Sequence, residues 1–207
     1  MAAKNTKSPR FKLQRRLLTE LPGLGKAGAL ERRPYPPGQH GLKRKKYSEF
    51  ALQLEEKQKL RFHYCMKEEQ LLRFIDVAKR KKATTWTEAL VNILEKRLDN
   101  LVFRLGFAPS IRAAKQLISH GKVLVNGKRV DISSVVLKVN DEISLKDEAY
   151  SNQVFLQAQQ TPRLPLPSFL EKKANGDKET GRIIDEPKLD AVPFNFDSEL
   201  FTSYYSM

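Results

Sequence analysis

The chain of 207 residues has one cysteine, Cys65. It therefore holds no intramolecular disulfide and no multi-thiolate metal site. Cys65 reads as a small buried side chain on a helix. Long apolar runs are also missing: nothing approaches the roughly 18 residues that a spanning helix needs. Met1 to Arg16 begins basic but lacks the apolar centre of a secretory signal. His40, His63 and His120 are widely spaced, with no cysteine or carboxylate at ligand spacing, so no metal is expected. Gly23 and Gly25 are not followed by the Lys-Ser or Lys-Thr of a phosphate-binding loop, so no nucleotide cofactor is expected either. Acidic residues are scarce at the start, where Glu20 and Glu31 face 13 basic side chains within residues 1–46.

What is present is positive charge on a chain able to fold. The hydrophobic share of 40% and charged share of 30% suit a globular chain with its own core, and 38 Lys plus Arg against 24 Asp plus Glu leave a net charge of +14. Such a balance favours a polyanionic partner, and the missing spanning segment turns that expectation toward nucleic acid. Residues 1–46 concentrate the charge in Arg10, Lys12, Arg15, Arg16, Arg32, Arg33, Lys43 and Arg44, among others. The same stretch is interrupted by Leu21-Pro-Gly-Leu-Gly and by Arg32-Arg-Pro-Tyr-Pro-Pro-Gly-Gln-His-Gly41. Proline and glycine at that density allow only short elements. Interleaved Phe11, Tyr35 and His40 suit an extended arm that orders on RNA, with a plain solvated tail as the alternative.

From Tyr47 the apolar period becomes helical. Ser48 is the expected N-cap, with Phe50, Leu54, Leu60 and Phe62 on one stripe and Glu55 and Lys59 paired at i, i+4. A second helix is expected from about Lys67 to Lys82 on Leu71, Phe74, Ile75 and Ala78. A third begins at Thr84, Thr85 or Thr87 and runs unbroken through Leu90, Ile93, Leu94, Leu98, Leu101, Val102 and Leu105 to Gly106. After the N-cap Ser110, a short helix to His120 sets Ile111, Ala114, Leu117 and Ile118 on one face and Arg112, Lys115, Gln116 and Ser119 on the other. Gly121 ends it, and the period switches to two. Asn126-Gly127 between Val123-Leu-Val125 and Lys128-Arg-Val130 is a strong hairpin signal. Further short strands are expected at Val135–Leu137 and Ile143–Leu145, joined around Asn140-Asp141.

In this reading Arg104, Arg112, Lys115, Lys122, Lys128 and Arg129 share one surface, with Ser110, Gln116, Ser119, His120 and Asn126 as hydrogen-bonding partners. Cationic groups neutralise phosphates, while neutral polar groups reach 2′-hydroxyls and base edges across a shallow groove. Beyond Leu145 the signals weaken. The basic surplus ends, Pro162, Pro165 and Pro167 argue for an extended connection, and Phe194, Phe196, Leu200, Phe201, Tyr204 and Tyr205 are too apolar for a solvated tail.

The run Arg97-Leu-Asp-Asn-Leu-Val-Phe-Arg-Leu-Gly-Phe107, followed by Arg112-Ala-Ala-Lys-Gln-Leu-Ile-Ser-His-Gly-Lys-Val-Leu-Val-Asn-Gly-Lys-Arg-Val130, resembles the RNA-binding module named after small-subunit ribosomal protein four. Pro37-Gly-Gln-His-Gly-Leu-Lys43 and Leu54-Glu-Glu-Lys-Gln-Lys-Leu-Arg-Phe-His-Tyr64 resemble the N-terminal half of that ribosomal protein family. The resemblance implies an α+β fold: a mostly helical N-terminal lobe with an inserted small helix-plus-sheet RNA-binding module. The divisions expected are an arm at 1–46, a helical domain at 47–96, the module at 97–160, and a segment at 161–207 that docks back on the helical lobe. It implies a structural, non-catalytic constituent of the small ribosomal subunit that binds ribosomal RNA early, nucleates assembly and affects decoding accuracy. Ribosomal protein five and nearby messenger RNA are the implied neighbours, with no membrane. RNA contact is carried onto the matched positions Gln39, His40, Lys57, Arg61, Arg104, Arg112, Lys115, Gln116, Ser119, His120, Asn126 and Lys128.

The chain departs from some members of that family in lacking four N-terminal cysteines, so no zinc is expected. Leu21-Pro-Gly-Leu24 and Leu60-Arg-Phe-His-Tyr64 resemble plastid and cyanobacterial members most. With no transit peptide visible, a ribosome of the chloroplast stroma is expected ahead of a bacterial one. Two rivals remain. A pseudouridine synthase would use Asp99 of Arg97-Leu-Asp99, but Asp99 is expected mid-helix, as a surface carboxylate near Lys96 or Arg104, without the rest of that motif. An RNA chaperone working off the ribosome shares every basic feature.

Overall fold

The computed structural model describes residues 10–25, 28–43, 46–81, 85–176 and 178–206. In chain order these form α1 (Arg10–Leu17), α2 (Ala29–Arg32), α3 (Glu49–His63), α4 (Glu68–Lys79), α5 (Trp86–Glu95), α6 (Leu98–Arg104), α7 (Ile111–Ser119), β1 (Val123–Val125), β2 (Lys128–Val130), β3 (Glu142–Leu145), α8 (Asp147–Tyr150), α9 (Gln153–Gln160), β4 (Leu170–Asn175), β5 (Lys178–Ile183) and α10 (Ser198–Tyr204). The fold is α+β, as expected. Two compact units divide the chain, one of residues 1–63 with 194–207 and the other of residues 64–193.

In the first unit α3 begins where Ser48 Oγ accepts the Ala51 amide at 3.3 Å. Leu17, Leu21 and Leu24 form a small core with Leu13, Phe62 and Phe194. Buried Gln14 ties α1 to the turn after it by donating Nε2–H to the Leu21 carbonyl at 2.9 Å. Helix α10 packs on α3. Its start is capped by Asp197, whose carboxylate accepts the Glu199 and Leu200 amides at 2.9 and 3.0 Å. Phe201 is fully buried and stacks edge-on against Phe196 and Tyr205. Glu56 accepts the Asp197 amide at 3.1 Å and pairs with Lys59.

In the second unit α4 packs on α5, α6 on α7, and five antiparallel strands form one sheet in the order β2-β1-β3-β5-β4. Leu90, Leu94, Leu98, Leu101, Phe107, Ile118, Val123, Ile143 and Ile183 are fully buried between helices and sheet. The hairpin turn forms as Asn126-Gly127 foretells, with φ of +49° and +74° at the two turn residues. Helix α6 stops at Gly106, φ +74°, and α7 at Gly121, φ +66°.

Four expectations are corrected. The third helix is not continuous: it breaks at Lys96–Arg97, and Arg97 is extended and bridged to Val136. The break is filled by a crossing segment, since Lys96 carbonyl accepts the Leu137 amide while Leu98 and Asp99 amides donate to Val135 and Ser133 carbonyls. The strand expected at Val135–Leu137 is therefore that one bridge. Cys65 is half-buried and lies past the end of α3 in the left-handed region, φ +51°. The β4–β5 hairpin, which completes the sheet, lies in the stretch where the sequence signals fade.

Candidate nucleic-acid interface

Helix α7 is the best-defined part of the expected surface. Ser110 Oγ accepts the Ala113 amide at 3.2 Å and fixes its start. Ile111, Ala114, Leu117 and Ile118 are buried, leaving Arg112 and Lys115 half-buried and Gln116, Ser119 and His120 exposed. At the far end the Gly121 and Lys122 amides return to the Ile118 and Leu117 carbonyls at 2.8 and 3.0 Å. Arg129 on β2 folds its guanidinium against Gly121, where an added Cβ would lie 2.3 Å from Nε. The hairpin and the end of α7 are thereby brought together. Lys128 is exposed beside it, and half-buried Lys122 pairs with Glu148 at 2.5 Å.

Of two other expected members, Arg104 is withdrawn from that surface by its surroundings, and Asn126, though exposed, has its side chain engaged within the protein. Arg104 is buried: Nε donates to Glu95 at 3.2 Å and the guanidinium also reaches the Ala191 carbonyl. Glu95, fully buried, further accepts from Tyr64 Oη at 2.5 Å and Asn100 Nδ2 at 2.8 Å. Burial and the adjacent Glu95 carboxylate push the Tyr64 hydroxyl well above its ordinary pKa. Asn126 clasps β3, its Nδ2 donating to Asp141 and its Oδ1 accepting the Glu142 amide, both at 2.9 Å.

Asp99 is also not the surface carboxylate expected. It is 1% exposed. Its two oxygens accept from Arg97 Nε and Nη2 at 3.1 and 2.7 Å, and Oδ1 takes the Asn100 amide at 2.9 Å. Lys115 Nζ stands 3.4 Å from Asp99 and donates to the Cys65 carbonyl at 2.7 Å. Arg97 also lies over the Phe74 ring, 5.3 Å from its centroid. Sequence reading missed this cluster, although Arg97 and Asp99 two residues apart across a helix start were its visible signal.

In the first unit the expected contacts divide likewise. Lys12, Arg16, Arg32, Arg33, Gln39, His40 and Lys43 are exposed. Arg15 instead holds a turn, donating to the Tyr35 and Pro36 carbonyls at 3.1 and 3.4 Å and lying over the Tyr35 ring. Lys57 is buried against Tyr204, with Nζ 3.2 Å from Oη and over the ring. Half-buried Arg61 donates to Gln58 at 2.9 Å and covers Phe62. Arg44 and the Arg10 side chain lie outside the described residues.

Two hollows among the described residues of the second unit, of about 520 and 750 Å³, are lined by Arg104 with parts of the 164–169 and 185–193 segments, and by Lys81, Lys96 and one side of α5 with residues 185–190. Neither includes a residue of α7 or the β1–β2 hairpin. The hollow beside Gln116, His120 and Lys122 is only about 60 Å³, so a polar helix end with a basic hairpin beside it suits an extended polyanion better than a small substrate. Fold and surface together define an α+β protein of the RNA-binding kind.

Comparison with known proteins agrees. Residues 5–95 match the family described as ribosomal protein S4/S9 N-terminal domain, and residues 96–143 match the S4 domain. Small ribosomal subunit protein uS4B of Bdellovibrio bacteriovorus is 72% identical over 201 residues, 97% of either chain. The uS4 proteins of Nostoc sp. and Methylobacillus flagellatus are 45% and 42% identical over 96–97% of each chain. This chain belongs to the uS4 family of small ribosomal subunit proteins.

Proposed function

We propose that this chain is a structural, non-catalytic constituent of the small ribosomal subunit that binds ribosomal RNA directly. The observation that carries this is the 72% identity, end to end, with a relative named as a small ribosomal subunit protein. Within the chain we assign RNA contact to Arg112, Gln116, Ser119 and His120 on α7, to Lys128 and Arg129 on the hairpin, and to the exposed cations of residues 10–43. Cations on these surfaces neutralise phosphates, and the neutral groups read 2′-hydroxyls. The functional division proposed is an arm at 1–46, a helical part at 47–96, the module at 97–160 and a closing segment at 161–207. Early binding that nucleates assembly, an influence on decoding accuracy, contact with ribosomal protein five and a place near messenger RNA belong to the same reading. The relatives named above are bacterial, which supports a bacterial ribosome over the chloroplast setting expected from the sequence.

Sedimentation of lysate through a sucrose gradient tests the reading. The chain is expected at one copy per small subunit and to stay there through a high-salt wash. Recovery in the light fractions would favour the RNA chaperone instead. For the surface itself, Arg112→Gln is expected to lower the slope of log K against log salt by about one while circular dichroism stays native. An unchanged slope would remove Arg112 from the phosphate contacts.

A further inference from the structure

Lys115 lies on the same helix as the proposed RNA contacts, yet its ammonium is already engaged. It donates to the Cys65 carbonyl at 2.7 Å and stands 3.4 Å from Asp99, with the side chain 27% exposed. Asp99 is fixed in turn: Arg97 grips both its oxygens and the Asn100 amide holds one of them. Among the described residues Arg97 has no competing side-chain acceptor: its buried Nη1 makes no hydrogen bond, and the guanidinium lies over Phe74. The carboxylate is thus a preset anchor at the start of α6, and the lysine stem spans from α7 to that anchor and to the turn after α3's end. Of the ammonium's three N–H donors, one is taken by the Cys65 carbonyl and one faces the buried Asp99 carboxylate, so swinging the group out to a phosphate would take from that carboxylate its second cation partner and from the carbonyl this donor.

We propose that Asp99 is a positioning residue for the RNA-facing surface, acting through Lys115, which tethers α7 to residues 64–66 and does not itself contact phosphate. The proposal rests on α7 being an RNA-binding face. It removes Lys115 from the direct contacts implied by the family resemblance and makes a carboxylate, which electrostatics alone would count against RNA affinity, a contributor to it.

The test measures binding of the full chain to a small-subunit ribosomal RNA transcript across a range of salt. Lys115→Met keeps the stem and leaves Asp99 with Arg97 and the Asn100 amide, so the variant folds. Its affinity is expected to fall about 3- to 10-fold at every salt, the effect of one lost hydrogen-bonded contact, with the slope unchanged. A slope lower by about one would mean that Lys115 meets a phosphate, and unchanged affinity would mean that the tether positions nothing; either overturns the proposal. Asp99→Asn, where circular dichroism shows it folded, removes the anchoring charge and is expected to lower affinity by a similar factor with the slope unchanged. A folded variant with unchanged affinity also overturns the proposal, and if Asp99→Asn does not fold, Lys115→Met decides alone. Absence of salt-dependent binding by the unsubstituted chain would instead sink the RNA-face reading itself.

Discussion

Gly181 shows how closely the sheet is fitted to the helices. On β5, opposite Ile143, it has no room for a side chain, because an added Cβ would come within 2.3 Å of Leu105 Cδ1. Leu105 is itself buried, so it has little freedom to retreat. Gly181→Ala is expected to destabilise the protein by about 1–3 kcal/mol in a urea melt, as overpacked cores do. Tyr64 is the second sensitive residue. Its raised pKa means that the folded chain holds a proton which the unfolded chain releases near pH 10. Stability from Tyr64 is therefore full below about pH 10 and falls as pH rises, by up to about 1.4 kcal/mol per pH unit. Tyr64→Phe is expected to lower stability at pH 7 by about 1–3 kcal/mol, because Glu95 loses a buried donor, and to flatten the alkaline decline. A steep decline persisting in the variant would assign it to another group.

At the level of elements, legibility followed how local the determining physics is. Helix α7 lies within a residue of its expected span because its Ser110 cap, its apolar stripe and its Gly121 stop all sit within a dozen residues. Ser110→Ala is expected to cost about 1 kcal/mol in a thermal melt, with the loss confined to this cap. The hairpin was equally readable from Asn126-Gly127. The break between α5 and α6 was not, since Lys96 and Arg97 carry no helix-breaking residue. What interrupts the helix is the 133–137 segment, which supplies partners for the amides and carbonyl at the break. The β4–β5 hairpin escaped for a related reason: Leu170-Glu-Lys-Lys-Ala-Asn175 shows little alternation, and its place comes from pairing with β3. Site residues divided the same way. Exposure of Gln116, Ser119 and His120 follows from helix period, whereas burial of Arg104, Lys57 and Asp99 depends on Glu95, Tyr204 and Arg97, which periodicity does not bring together.

For the whole molecule, 14 net positive charges make association with polyanions strongly dependent on salt. The arrangement of those charges decides how much is specific. Arg15, Lys57, Arg104 and Lys122 are engaged within the protein, so fewer phosphates are neutralised than the count of cations implies. The full chain is expected to show a salt slope well below its total of 38 basic residues. Deleting residues 194–207 is expected to destabilise the first unit, since Phe201 is fully buried and α10 covers α3. A thermal melt followed by far-ultraviolet circular dichroism would show that loss as a lower midpoint than that of the full chain.

The strand order also sets a timetable for the growing chain. Strand β3 is joined on one side by β1, which precedes it, and on the other by β5, which is made roughly 40 residues later. At about 5–20 residues per second, synthesis of that interval takes about 2–8 s. Throughout it the outer edge of β3 is open and the space that Gly181 will share with Leu105 is unfilled. The newborn module thus passes through a period when α7, the helix proposed to bind RNA, is already made and its sheet is still incomplete, and any RNA engaged then meets a platform that the last quarter of the chain has yet to stiffen.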